Sequence, residues 1–444
     1  MIEPSAHPPS QVGADRLGPW LAAAACAVLL ATFLAFVTDT RAVRLACSDD
    51  VDNQRMTRDG TIATHFVASA QEQGRFYYAV PGHVIPYRLY NLDGPWLFSA
   101  VRAGLLFVSL GLLGWLCGRV AANAALGWMT ALFAAAALHV PATFFAVLSF
   151  PTMMVGLGAL LASLHLHLTH VRRNSPIAAC ASGLLLLLAC QYIEVFVIFF
   201  PVFVALSWRA GARSLRALLR SLIAPLTAAA GYVAVYALFR LSYPSTYGGT
   251  QLSLDPRSAL DVLFRLTYSV APPFELFAHR TNPSGGGAFL KTAAEIQALL
   301  GGVDASRIAL VLGQAAVVAA LAWRSIRTPA AIGGGAIVFA FACMPLPNLP
   351  VSVAAKYQIW VHQRGFPYIY SFYSYCCLVF GLVCLAHWIA ARRRTARGAR
   401  RWITGFSVAC SALFFSAQAS NRNALQLLHA WYNDRPAAAR SATP

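Results

Sequence analysis

The sequence predicts an all-α, polytopic transmembrane bundle, and three observations predict it. Hydrophobic residues make up 58% of the 444 and charged residues only 11%, with a mean hydropathy of +0.59, well outside the range of soluble domains. The apolar runs are long and continuous, roughly 20 residues each, the length at which a helix crosses hydrocarbon with its own backbone hydrogen bonds satisfied. A barrel would need short alternating segments instead. Arginines, finally, concentrate in short connectors between the runs, the pattern left by the positive-inside bias.

The net charge of +18 follows from those connectors and not from a basic domain interleaved with aromatic residues, which excludes nucleic acid as a partner. Of the ten cysteines, Cys26, Cys117, Cys180, Cys343, Cys376, Cys377, Cys384 and Cys410 fall within apolar runs, where cysteine acts as a small hydrophobe. Cys47 and Cys190 stand apart, and no disulfide or metal-type spacing emerges.

In chain order, residues 1–18 read as a short cytoplasmic tail without the basic start of a secretory signal. Spans follow at Pro19–Thr38, Trp96–Cys117, Ala121–His139 and Ser149–Leu168, then a tight pair at Pro176–Gln191 and Val195–Trp208, then Ser221–Leu241. After a polar excursion come Ile308–Trp323, Ala330–Met344, Tyr368–Ala390 and Trp402–Ala417, giving about eleven crossings. Arg119, Arg172, Arg173, Arg209, Arg213, Arg216, Arg220, Arg324, Arg327 and Arg392 to Arg394 mark the cytoplasmic turns. The amino terminus is therefore expected inside, and the tail 419–444 outside. Residues 19–418 form the membrane domain, with outer loops at 39–95, 242–306 and 349–367.

Chemistry is expected in those outer loops. Gly333-Gly334-Gly335 lies within a span, and Gly285-Gly286-Gly287 lacks the Lys-Ser/Thr of a phosphate loop, so a nucleotide site is not indicated. His165, His167 and His170 sit at the cytoplasmic end of one span without metal-type spacing. The first outer loop carries the strongest signal. Cys47-Ser48-Asp49-Asp50-Val51-Asp52 places three carboxylates in four positions of a chain with only 16 acidic residues. A solvated loop neutralised by Arg55 and Arg58 is the alternative reading of this cluster. From Thr61 to Gln73, with Ile62, Phe66, Val67 and Ala70 on one side, the pattern fits an amphipathic surface helix that Gly74 ends.

A first span, an acidic pair just beyond it, a surface helix and an aromatic entry to the second span resemble the GT-C class of membrane glycosyltransferases. Ser48-Asp49-Asp50, followed by Ala70-Gln71-Glu72-Gln73-Gly74-Arg75-Phe76-Tyr77-Tyr78, is similar to the opening of bacterial members that decorate surface glycans, including GtrII-type glucosyltransferases. The resemblance covers about the first 120 residues; beyond them only hydropathy agrees. It implies a polyprenyl-phosphate sugar as donor and a glycan or lipid as acceptor, in a bacterial cytoplasmic membrane with the site facing outward. It also implies a first-loop aspartate at the site, here Asp49 or Asp50.

Inverting transfer from a lipid phosphate needs a base for the acceptor hydroxyl, and a carboxylate serves. Asp50 is expected as base with Asp49 in support, and the pair also admits a divalent cation. The leaving phosphate calls for cations, and Lys356, His362 and Arg364, beside Tyr357 and Trp360, lie in an outer segment where the positive-inside bias disfavours them. Interfacial snorkelling is the alternative. Glu194, in the turn of the helical pair, is expected to orient an acceptor or to pair with Arg102 or Arg240. Arg102 by itself reads as snorkelling. Tyr78, His83 and Arg88, and further along Glu275, His279 and Arg280, complete the candidates.

In the second outer loop, Asp255-Pro256 predicts a helix cap and a helix to Tyr268, and Ala288–Leu300 predicts another. Pro272-Pro273 and Asn282 to Gly287 between them suggest a lid. Two further functions remain open: a transporter or flippase for lipid-linked sugar, which would place polar groups on broken helices at mid-bilayer, and a polysaccharide polymerase or ligase. A structural subunit without activity is the fourth reading.

Overall fold

The computed structural model describes residues 18–432 apart from 141, 142, 144, 254, 272–290, 329–331, 365–369 and 394. Among these residues there is no strand, only an isolated bridge between Leu252 and Ala354. Eight of the described helices, one of them running on through short turns from Gly334 to Ser352, are long and apolar enough to cross a membrane, and the chain is a multi-pass membrane protein.

The order begins with α1 (Pro19–Thr40), α2 (Ser48–Arg58) and α3 (Ile62–Gln73), continues through short turns from Phe76 to Asn91, and enters α4 (Pro95–Ala121). Next come α5 (Ala124–Ala136), α6 (Pro151–Arg173), α7 (Pro176–Tyr192), α8 (Phe200–Arg209) and α9 (Leu215–Ser242). The second half holds α10 (Pro256–Tyr268), α11 (Ala293–Gly301), α12 (Ala305–Arg327), α13 (Gly334–Cys343), α14 (Ala355–Arg364), α15 (Ser371–Ala391) and α16 (Ala396–Tyr432). Helix starts follow local chemistry. Proline opens α1, α4, α6, α7 and α10, where its missing N–H costs nothing. The side chains of Asn123, Ser175, Ser214, Asp255 and Asp304 cap the orphan amides of the helices that follow them.

Several sequence expectations change. The acidic cluster is not loop but the first turn of α2, where acids oppose the helix dipole. The eight long helices fall short of eleven because α5 and α7 are short apolar helices and the next segment starts as a 3-10 turn, Glu194–Phe199, before α8. The chain after 419 is not a tail at first: α16 runs on to Tyr432. There Asn421 accepts from the Val140 amide at 2.7 Å and donates to the Leu138 carbonyl at 2.8 Å, satisfying backbone left open where α5 ends. Residues 433–444, the proposed lid 272–287 and Glu275, His279 and Arg280 lie outside the described residues.

Small residues set a close helix contact. A Cβ on Gly114 of α4 would lie 2.6 Å from the Gly127 carbonyl of α5, and one on Gly127 would lie 2.8 Å from the Gly114 carbonyl, so the two backbones pack directly. The bundle has two unlike ends. At one, arginines close the short turns: Arg172 donates to the Arg119 carbonyl at 2.9 Å and Arg209 to the Val120 carbonyl at 3.2 Å. At the other lie the long connectors, pinned across the bundle by the Asp39–Arg307 ion pair.

Gly74 shows how the first connector is locked. It ends α3 with φ +61°, a left-handed conformation that costs a residue with a Cβ about 1–2 kcal/mol. A Cβ there would also meet the Tyr243 carbonyl at 2.9 Å and run into the Arg240 side chain. Gly74→Ala is expected to lower stability by more than about 2 kcal/mol, read as a drop of several degrees in the unfolding midpoint in detergent.

Candidate functional site

The first connector folds onto the bundle through aromatic residues. Phe66 of α3 stacks on Tyr78 at 5.4 Å and meets His83 and Tyr87 at 5.1 and 5.0 Å. His83 in turn touches Tyr77 and Tyr78, and Tyr87 stacks toward Tyr90. Together these rings make a continuous wall, worth more than area alone because the contacts are edge-to-face and offset-stacked. His83 is buried inside it with neither ring nitrogen hydrogen-bonded. Burial pushes its pKa down to about 3, though the nearby Gln191 backbone favours the charged form. His83 is thus a residue of the wall itself.

At one end of the wall sits Asp50. It is fully buried. One carboxyl oxygen accepts from the amides of Ala46 and Cys47 at 2.8 and 3.2 Å, and the other accepts from the Tyr90 hydroxyl at 2.6 Å. As the third residue of α2 it closes a capping box with Cys47. Burial pushes its pKa up to about 6, against the hydrogen bonds of Tyr90 and Ala46, which favour the carboxylate. The Tyr90 hydroxyl also lies 2.9 Å from the Ser149 carbonyl. A phenol has one proton, so it serves both acceptors only when Asp50 is protonated and donates in its turn. Asp49, next along, is exposed.

The two acids are thus unlike: Asp50 is held inside the first turn of α2, while Asp49 lies at the surface. With one acid sealed inside and the other outside, the pair is not a two-carboxylate clasp for a divalent cation. Among the described residues no group of three or more His, Cys, Asp or Glu side chains converges as metal ligands would. Asp52 pairs with Arg55 at 3.0 Å, both exposed, so part of the cluster is the solvated salt bridge of the alternative reading.

Arg102 is buried and does not snorkel. It donates to the carbonyls of Thr40 and Leu148 at 3.0 and 3.2 Å, closing backbone ends that the helices leave open. Arg240 likewise donates to the carbonyls of Gln73 and Ser245. Neither pairs with Glu194, as the sequence had suggested. The cation near Glu194 is Arg75, which follows Gly74.

Around Glu194 the structure assembles a second, polar cell at the other end of the wall. Arg75 donates to the Tyr77 hydroxyl at 3.3 Å and stands 5.7 Å from the Tyr247 ring centroid. Lys356, exposed at the start of α14, donates to the Tyr247 hydroxyl at 2.9 Å. Tyr247 thus holds two cations from separate connectors. Its loop is fixed there by backbone bonds, with the Lys356 amide donating to Gly248 and that of Ala355 to Gln251.

The charge of Glu194 reaches Arg75, Tyr77, Tyr232, Tyr236 and Tyr370. Burial opposes the charge on Arg75, and the neighbouring Tyr77 and Glu194 favour it. Three atoms of this cell, Arg75 Nε, Glu194 Oε2 and Tyr232 Oη, are buried without a hydrogen-bond partner. Buried polar atoms are rarely left so, and a polar ligand or water completes such a cell.

Of the predicted cations, Lys356 is therefore in the cell, with Tyr357 buried beneath it and 5.8 Å from the ammonium. Arg364 and His362 belong to α14, but their side chains, like that of Trp360, lie outside the described residues. Tyr78 is half-buried where wall and cell meet. Arg88 is exposed. Sequence reasoning missed Arg75, Tyr247, Tyr90 and Tyr370. For Arg75 a signal existed, since a cation directly after the glycine that ends a surface helix must lie against the bundle. For Tyr247 none did. No protein-family model, curated protein or solved structure matches the chain.

Proposed function

We propose that the chain is an inverting glycosyltransferase that moves a sugar from a polyprenyl phosphate to a hydroxyl of a surface glycan or lipid, at the connector end of the bundle, facing outward from a bacterial cytoplasmic membrane. The observation that carries this reading is the convergence of Arg75 and Lys356 on Tyr247, beside a carboxylate and three unpartnered polar atoms. Two cations brought from distant connectors suit a phosphate, Arg75 through parallel hydrogen bonds and Lys356 as a point charge.

The bond between the anomeric carbon and the phosphate oxygen breaks, its electron pair leaving with the phosphate, which Arg75 and Lys356 neutralise. The acceptor oxygen attacks from the opposite face and its proton passes to a carboxylate. Glu194, whose charge acts on Arg75, stands with the leaving-group cations. Asp49, the exposed acid of the first connector, is assigned the base. Asp50 holds Asp49 in place.

The test is a transfer assay with purified protein in proteoliposomes, offering a panel of polyprenyl-phosphate hexoses and, separately, nucleotide sugars, with a short glycan acceptor. A new glycosidic bond is expected from the lipid donors alone. Movement of the lipid donor between leaflets without bond formation would establish a flippase instead, and use of nucleotide sugars would overturn the donor assignment.

A further inference from the structure

The arginine-rich end contains a feature that sugar transfer does not use. Trp323, in the last turns of α12, carries two guanidinium groups: Arg327 at 4.5 Å and Arg400 of α16 at 5.9 Å from the ring centroid. Arginine beside tryptophan recurs along this end, with Arg119 on Trp115, Arg213 on Trp208 and Arg392 on Trp388. Each of those rings holds one cation. Among the described tryptophans only Trp323 holds two, and they come from different helices.

The pair borders an open cleft of about 690 Å³, mouth included, whose remaining lining is Trp323, Ile403 and Thr404. Ile403 is buried and Thr404 exposed, so the cleft has an apolar floor and a polar rim. Arg327 and Arg400 are both exposed, and among the described residues no ion pair engages either one. Two like charges held over one ring repel each other, and an anion bound between them would offset that repulsion. Guanidinium groups recognise phosphate oxygens in a fixed fork, and an indole at the end of a membrane helix sits at headgroup depth.

We infer that this cleft seats the phosphate of an anionic membrane lipid, its acyl chains running down the groove between α12 and α16. Basic pockets between helices at the cytoplasmic surface recognise lipid headgroups in this way. The chemistry the cleft reads is a net negative phosphodiester, with no headgroup cation to neutralise it, joined to an apolar tail. A soluble phosphate shares the negative charge but not the tail.

Native mass spectrometry of the purified full chain, titrated with phosphatidylglycerol, phosphatidylcholine or inorganic phosphate, tests this. Phosphatidylglycerol should be retained over phosphatidylcholine. At about one kcal/mol per cation, Arg327→Gln or Arg400→Gln should each weaken it about fivefold and the double variant about thirtyfold. Arg216→Gln, at an exposed arginine of the same end, should leave it unchanged, and Arg327→Lys should restore part of the loss. Equal weakening by Arg216→Gln would show general attraction to a basic surface and overturn the site. Unchanged retention in the double variant would do the same. Displacement of the lipid by millimolar inorganic phosphate would assign the cleft to a soluble anion instead.

Discussion

Arg75→Gln is expected to lower sugar transfer about 100- to 1000-fold, the loss seen when one preorganised donor to a developing anion is removed. Arg75 is half-buried against the wall, its guanidinium fixed by Tyr77 and Tyr247, so its charge is oriented before the donor arrives. The loss should fall on kcat more than on KM, because the charge on the leaving oxygen grows as the bond breaks. Arg75→Lys should recover part of it, since a point charge replaces the fork. Lys356→Met should cost less, because Lys356 is exposed and screened by water. Retention of more than a tenth of wild-type kcat in correctly folded Arg75→Gln would remove the phosphate site from the mechanism.

The helical class and most helix positions were legible because hydropathy over a span-length window is a bulk property that no single contact overrides. Asp255 and Gly74 were legible because each acts through its own backbone, as a cap and as a left-handed stop. What was hidden depended on pairing across the chain. The sequence says that Asp49 and Asp50 are adjacent and alike. Only the fold shows that Tyr90, far along the connector, takes one of them inside. Arg102 is similar: a charge within a span predicts a polar partner, and here the partners are backbone carbonyls, which hydropathy cannot register. The extension of α16 was obscured because Ser420 to Asn423 is polar, and of these Asn421 turns its amide to the Leu138–Val140 backbone.

Asp49→Asn and Asp50→Asn should separate base from positioning residue. Removing a general base costs about 100- to 10,000-fold, and that loss is expected of Asp49→Asn alone. Asp50→Asn keeps an oxygen for the Ala46 and Cys47 amides and a group for Tyr90, so transfer should stay within a few-fold of wild type. Its effect belongs to stability. The folded pKa of Asp50 is raised, to about 6, so its contribution to stability is fully present below about pH 4 and is lost as pH rises through about 6, a span of about 3 kcal/mol. Thermal midpoints of the wild type should therefore carry a component that falls between pH 4 and 7 and that Asp50→Asn lacks. At pH 7.5 the Asn variant should be at least as stable as wild type. Asp50→Ala, which leaves the buried amides of Ala46 and Cys47 without their acceptor, should be less stable than Asp50→Asn by about 2–4 kcal/mol at any pH. Full activity in Asp49→Asn together with inactivity in well-folded Asp50→Asn would return the base to the buried acid, through a movement of α2 that opens the Tyr90 contact.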